Sequence, residues 1–284
     1  MLIEIAIGDA YGAGFEFAPR AKIDQHNDGS GYVAHELGIP AGHYTDDTQM
    51  SIAIAELLLQ GTRPDALACA NAFVDAYRRD PREGYSRGFG QLLSEAADGS
   101  ELLRRIRPGS IRNGAAMRSV PLGLLADREL MRRLARQQAS VTHDSPEGRL
   151  SSEVVALMAH ALWHHGARVG ELAAMVAAET GFELRDDWQA EVEVDAVQTL
   201  HAVHTALAAH RSMRELLRAC VAFGGDTDSV AAIALGLASL SQEFVNDLPA
   251  SLLEGLENGP FGRDWLIALD ARFAAHFAVG RPAD

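Results

Sequence analysis

Two short stretches, far apart in the chain, carry residues whose types and spacing could do chemistry. The first, Tyr44-Thr45-Asp46-Asp47-Thr48-Gln49-Met50, sets two adjacent carboxylates between two hydroxyls just before an apolar run, Ile52 to Leu59. Aliphatic residues recur there at helical spacing and the pattern stops at Gly61, so the acids open a helix. Thr45 and Asp46 are candidate N-cap residues, able to accept from the free N–H groups of the first turn. Clustered carboxylate and hydroxyl oxygens are also what a hard divalent cation such as Mg²⁺ prefers. Alone, this stretch fits an acid-rich cap or half of a metal site.

The second stretch, Gly224-Gly225-Asp226-Thr227-Asp228-Ser229, repeats the grammar: glycines, two acids and a hydroxyl before a small-residue run from Val230 to Ser239. Two remote helix starts with matched acids can converge on one pair of ions. Asp46, Asp47, Asp226 and Asp228 would supply charge, with Thr45 and Ser229 as neutral oxygen ligands. Other stretches are less specific. Gly109-Ser110-Ile111-Arg112-Asn113-Gly114 feeds a helical run, Ala115 to Leu125, and its small residues would let backbone N–H groups approach an anion at a helix start. Without further support it is an ordinary turn. Thr142-His143-Asp144 precedes another helix start, where a locally capped histidine is the plain explanation. His160 and His164, four apart, have metal-ligand spacing but no third ligand nearby, so they read as a solvated helix face, as do His201 and His204.

The elements that must position these residues are helical throughout. Residues 1 to 17 read as a helix in which Gly8 and Gly12 allow close backbone approach. Asp9 and Glu16, seven apart, would return to within about 20° of one face, Asp9 as a structural acid. From Ala18 to Tyr44 periodicity is lost and Pro19, Gly29, Gly31, Pro40 and Gly42 accumulate, the profile of a functional lid. Further helices are predicted over 46–60, 64–79 with Pro64 leading, 87–97, 101–106, 127–139, 146–165, 169–179, 192–210, 212–222, 229–244, 249–256 and 264–277. No alternating strand run appears. The reading is an all-α, single compact multi-helix domain of roughly a dozen helices over residues 1–284, with no repeat of fixed period.

Composition narrows the class. Hydrophobic residues at 48% and charged ones at 23% fit a soluble globular chain, and 284 residues can bury a sizeable core. A formal charge of −14 argues against a nucleic-acid backbone or an anionic membrane as partner. No apolar run reaches membrane-spanning length, and Glu4 and Asp9 with no basic n-region argue against a secretory signal. The two cysteines, Cys69 and Cys220, lie in apolar helical patterns and read as buried thiols in a reducing cytoplasm. A monomer is expected.

Five motifs in order resemble the ADP-ribosylglycohydrolases, the family of the dinitrogenase-reductase-activating glycohydrolase and the ADP-ribosyl-acceptor hydrolases. They are Gly8-Asp9-Ala10-Tyr11-Gly12 with Glu16, Thr45-Asp46-Asp47-Thr48, Gly109 to Arg118, Thr142-His143, and Gly224 to Ser229. The resemblance implies a fold of that type and a metal-dependent hydrolase that frees ADP-ribose from a modified protein, by water attack at C1″ of the distal ribose. It implies two Mg²⁺ or Mn²⁺ ions held by Thr45, Asp46, Asp47, Asp226, Asp228 and Ser229. Glu16 and Asp47 become the catalytic carboxylates. Gly109, Ser110, Ile111, Asn113 and Gly114 become the diphosphate cradle, and His143 a binding residue of the ADP-ribose cleft. Ile111 departs from the aromatic residue of some relatives, which removes a stacking contact. Arginine is the expected acceptor, with serine or another residue as the alternative. A non-catalytic ADP-ribose-binding or toxin-neutralising protein is the rival on the same scaffold. An all-α isoprenoid synthase would want a third Asp three residues after Asp47, where this chain has Met50.

Overall fold

Gly8 and Gly12 decide how the molecule is put together. In the computed structural model, which describes residues 1–36, 38–61 and 65–278, they press the first helix onto a helix near the other end of the chain. In order the α-helices are α1 (Leu2–Ala13), α2 (Arg20–His26), α3 (Asp46–Leu59), α4 (Ala66–Arg79), α5 (Arg87–Glu95), α6 (Gly99–Arg105) and α7 (Arg128–Ser140). Then follow α8 (Pro146–His165), α9 (Val169–Thr180), α10 (Ala196–Ala209), α11 (Met213–Ala222), α12 (Thr227–Ala238), α13 (Ala250–Gly255) and α14 (Arg263–Ala278). A Cβ on Gly8 would lie 2.5 Å from the Ala231 carbonyl oxygen, and one on Gly12 would lie 2.5 Å from Asp228 Cα. The α1–α12 contact is therefore backbone against backbone, and it sits beside the second acid stretch. Gly12→Ala should cost about 1–3 kcal/mol by overpacking, a fall of roughly 2–5 °C in melting temperature. A thermal melt at the parent temperature would show that the helices can part without penalty.

The architecture is all-α, with no strand among the described residues and four isolated bridges. One apolar core runs through it, drawing on α1, α3, α4, α8, α10, α11 and α12. Cys69 and Cys220 are buried free thiols, and none of the described helices is long and apolar enough to cross a membrane. Helix α8 has the predicted bounds because its signals are local. Ser145 Oγ accepts from Gly148 N at 3.0 Å, and Gly166 ends it in the left-handed region at φ 56°. Pro64, the expected start of the next helix, lies outside the described residues; α4 begins at Ala66, capped by Asp65.

Several predicted elements are corrected. Helix α1 ends at Ala13, so Asp9 and Glu16 share no helical face. The turn that carries Glu16 is held by Phe17 N–H donating to Gly225 O at 2.8 Å. The 115–125 run is not an α-helix but two 3₁₀ turns, Asn113–Ala115 and Val120–Leu124. Pro121 has no N–H to give to the Met117 carbonyl, which accepts from Ser51 Oγ instead. Helix α10 starts at Ala196 rather than at residue 192, because Val192 is spent on the acid loop: its N–H meets Gly224 O and its carbonyl accepts from Asp226 N. The Ala18–Tyr44 segment contains α2 and is tied down. Tyr11 Oη accepts from Gly29 N, Lys22 Nζ donates to Ala34 O, and Tyr32 Oη donates to Leu252 O. The histidines are not solvated either. His160 Nδ1 and His164 Nε2 meet the carbonyls of Leu125 and Leu124, His201 stacks on Phe182, and His204 Nδ1 meets Arg185 O.

Candidate active site

Asp9 organises the first acid stretch from outside it. Its carboxylate accepts from Thr45 N (2.9 Å), Thr45 Oγ1 (2.7 Å), Thr48 N (2.9 Å) and Thr48 Oγ1 (2.5 Å). The first turn of α3 is thus capped by α1, and neither Thr45 nor Asp46 supplies the side-chain cap expected of it. That leaves Asp46 and Asp47 free of capping duty, Asp47 with a hydrogen bond from Ser229. Asp47 is buried, and its Oδ1 has no hydrogen-bond partner. On the opposite side, Asp226 Oδ2 accepts from Asn113 Nδ2 at 2.9 Å, and Asp228 Oδ1 from Ser229 N at 3.0 Å. Gly225, at φ 78°, has no room for a Cβ, which would fall 2.0 Å from Val192 O.

The two stretches meet at Asp228. Carboxylate oxygens of Asp9, Asp47 and Asp228 lie within 4.8 Å of one another, and so do those of Glu16, Asp226 and Asp228. Burial pushes the carboxyls of Asp46, Asp47 and Asp228 well above the ordinary carboxylate range, and their mutual repulsion adds to it. Glu16 is pushed up to about 7, first by burial and then by Asp226 and Asp9. His35 Nε2 lies 2.9 Å from Glu16 Oε2, a partner the sequence did not suggest. Such crowding of buried carboxylates is costly until a cation joins them. An unpartnered buried oxygen among hard oxygen donors fits a divalent ion, whereas Asp9, already occupied by four donors, fits the role of support.

The burial has a pH consequence. Unfolded carboxyls ionise near 4–4.5, roughly, whereas folded Glu16 keeps its proton up to about 7. The folded state then binds more protons than the unfolded one, so the metal-free protein loses stability as pH rises from about 4.5 to about 7. Asp46, Asp47 and Asp228 act in the same direction. Urea melts at about pH 5 and about pH 8 without divalent ions test this; equal stability at the two would contradict it.

A cavity of about 620 Å³ opens from the acids, large enough for a nucleotide-sized ligand. Glu16, Asp46, Asp47, Ser110, Asn113, Gly114, His143, Asp226, Asp228 and Ser229 all line it. Thr45 lies buried behind the wall, while Gly109 and Ile111 shape the loop without lining the cavity. Gly109 bridges to His143, and Ile111, 52% exposed, accepts from Ala196 N through its carbonyl. No α-helix follows this loop, so an anion there gains no helix dipole. Arg105, Arg107 and Arg112 stand on the wall instead, with Phe17, Gly84 and Phe89. Of these, only Arg112 lay within a motif read from the sequence. Gly84 allows the chain to pass against Asp46, where a Cβ would meet Oδ1 at 2.2 Å.

His143 is oriented by a buried chain of bonds. Arg118 lies over the Phe73 ring, is clamped by Gln138, and donates to Thr142 Oγ1 at 2.7 Å. A guanidinium only donates. The Thr142 hydroxyl hydrogen is free to be donated to His143 Nδ1, 2.6 Å away, the arrangement in which the ring proton sits on Nε2. Desolvation pushes His143 down to about 3 and keeps it neutral. Gly114 makes room for the ring, since a Cβ there would lie 2.9 Å from His143 Cε1.

The model of the ADP-ribosylglycohydrolase family matches residues 1–283. An ADP-ribosylarginine hydrolase Tri1 of Serratia proteamaculans is 26% identical over 81% of this chain and 67% of its own length. The ADP-ribosyl-[dinitrogen reductase] glycohydrolase of Rhodospirillum rubrum is 27% identical over 89% of this chain and 87% of its own. A solved structure titled ADP-ribosylglycohydrolase-related protein complex superposes with a TM-score of 0.75 at 28% identity, covering 96% of this chain and 95% of that one.

Proposed function

The chain belongs to the ADP-ribosylglycohydrolase family, and from that premise we propose that it is a metal-dependent hydrolase releasing ADP-ribose from modified arginine on a protein. The observation that carries the reading is the convergence of both acid stretches on Asp228, with Asp47 Oδ1 unpartnered, at one end of a nucleotide-sized cavity. Arginine as acceptor is supported by relatives from Serratia proteamaculans and Pseudomonas putida that carry the name ADP-ribosylarginine hydrolase.

Asp46, Asp47, Asp226 and Asp228, with the oxygens of Thr45 and Ser229, would hold two Mg²⁺ or Mn²⁺ ions. Such ions, when bound, polarise a water and ribose hydroxyls. Thr45 gives its hydroxyl hydrogen to Asp9, so its oxygen lone pairs stay available. Glu16, at the acid end of the cavity beside Asp226 and Asp228, takes the proton from the attacking water. Asp47 stabilises the positive charge that develops at C1″ as the bond to the acceptor breaks. Ser110 and Gly114 bind the diphosphate side, and His143 Nε2–H donates to the same ligand; Asn113, expected in that cradle, gives its side-chain donors to Asp226 and Thr199 and holds Asp226 in place instead.

Incubation with ADP-ribosylated arginine and serine peptides and Mg²⁺, followed by mass spectrometry, tests the activity. Release from neither peptide would refute the hydrolase reading, and faster release from serine would overturn the acceptor. A second outcome concerns the binding wall. Thr142→Val removes the bond that holds the His143 ring, and ADP-ribose affinity should fall about tenfold, the scale of one buried hydrogen bond. Thr142→Ser should restore it. Calorimetry showing parent affinity in Thr142→Val would detach His143 from ligand binding.

A further inference from the structure

We propose that Phe17 selects the acceptor, stacking its ring against the planar guanidinium of the modified arginine; this rests on the hydrolase reading above. Among the described residues Phe17 is the one non-glycine with positive φ, at 47°. Glycine would occupy that conformation without steric penalty, and a phenylalanine does not. The strain is held by Phe17 N–H on Gly225 O at 2.8 Å and by Ala18 N–H on Phe15 O at 3.0 Å. The ring, moreover, is 53% exposed and lines the cavity. A side chain that strains the backbone and leaves half its apolar surface in water adds little to folding. Strain of this kind at a cavity rim points to ligand contact.

The neighbourhood says which ligand group. Phe17 follows Glu16 directly and is tied to the Gly224–Ser229 loop, so it stands at the acid end of the cavity. The diphosphate side runs along Ser110, Gly114 and the arginines of the wall, Arg105, Arg107 and Arg112. The group at the acid end is the one that leaves, the acceptor side chain. Glu16 sits among carboxylates, with Asp226 and Asp9 as its charged neighbours. Bound divalent ions would offset the inner aspartates and leave Glu16 and the ring face as the cation-attracting groups. An aromatic face beside a carboxylate favours a flat, weakly hydrated cation. A serine hydroxyl offers neither charge nor face.

The test uses one peptide sequence carrying ADP-ribose on arginine or on serine. Phe17→Leu keeps an apolar side chain without the ring, and Phe17→Tyr keeps the ring. Phe17→Gly removes the side chain and the strain together. For the arginine peptide, Leu and Gly should lower kcat/KM by about three- to thirty-fold, the range of a cation–π contact. Tyr should stay within about twofold, and the serine peptide should respond by no more than that with all three. Free ADP-ribose affinity by calorimetry should not change, and Phe17→Gly should melt no lower than the parent. Equal losses on both peptides, no loss on arginine, or weakened ADP-ribose binding would overturn the proposal. Binding of both peptides to Glu16→Gln, alone and with Phe17→Leu, separates the two readings. An arginine preference that disappears with Phe17→Leu, found without turnover in the parent, refutes hydrolysis and leaves the selection by Phe17 standing. Equal binding of the two peptides refutes the selection by itself.

Discussion

Glu16→Gln lowers kcat for ADP-ribose release by a factor on the order of 10²–10⁴, with ADP-ribose and Mg²⁺ affinities close to those of the parent. The amide keeps the shape of the side chain and its contact with His35, 2.9 Å away, but cannot take a proton from water. A group that acts on the proton in flight contributes to the transition state and little to ground-state binding. Steady-state kinetics alongside calorimetry make the distinction. Parent turnover in the variant would strike Glu16 from the reaction. Lost Mg²⁺ affinity would make it a ligand, which its place beside Asp226 and Asp228 makes a real alternative outcome.

Asp228→Asn should weaken Mg²⁺ binding by at least about 100-fold and take turnover with it. Asp228 is common to both carboxylate triads, so one substitution removes a charge from each. The metal-free protein should respond differently. Burial already favours a neutral side chain at this position, so near pH 8, roughly, its melting temperature should hold or rise. What disappears is the upward shift on adding Mg²⁺, because an ion bound only by the folded state stabilises it with the logarithm of its concentration over Kd, which vanishes once Kd exceeds that concentration. Melts with and without Mg²⁺ separate this from simple misfolding. An undiminished Mg²⁺ shift would mean that the two acid stretches do not share ions.

What the sequence determined by itself is everything written in local grammar. Asp46 and Asp47 before Ile52, and Asp226 and Asp228 before Val230, announce helix starts loaded with acid, and those starts are where the structure has them, to within two residues. Helix α8 could be read to its ends because its cap and its stop are residues within it or next to it, Ser145 and Gly166. The all-α class followed from apolar period, a short-range property. Tertiary structure decided each point at which a backbone or side-chain group finds its partner far along the chain. Asp9 caps α3 from 36 positions away, Val192 is drawn out of a helix to hold Asp226, and Gly225, through its carbonyl, ties down the turn that carries Glu16. Arg118, 24 positions from Thr142, holds the hydroxyl that meets His143. No periodicity encodes such choices. Each buried N–H, hydroxyl or carboxylate takes whichever partner the packed fold brings within reach, and that follows from how closely α1 and α12 can approach over two glycines.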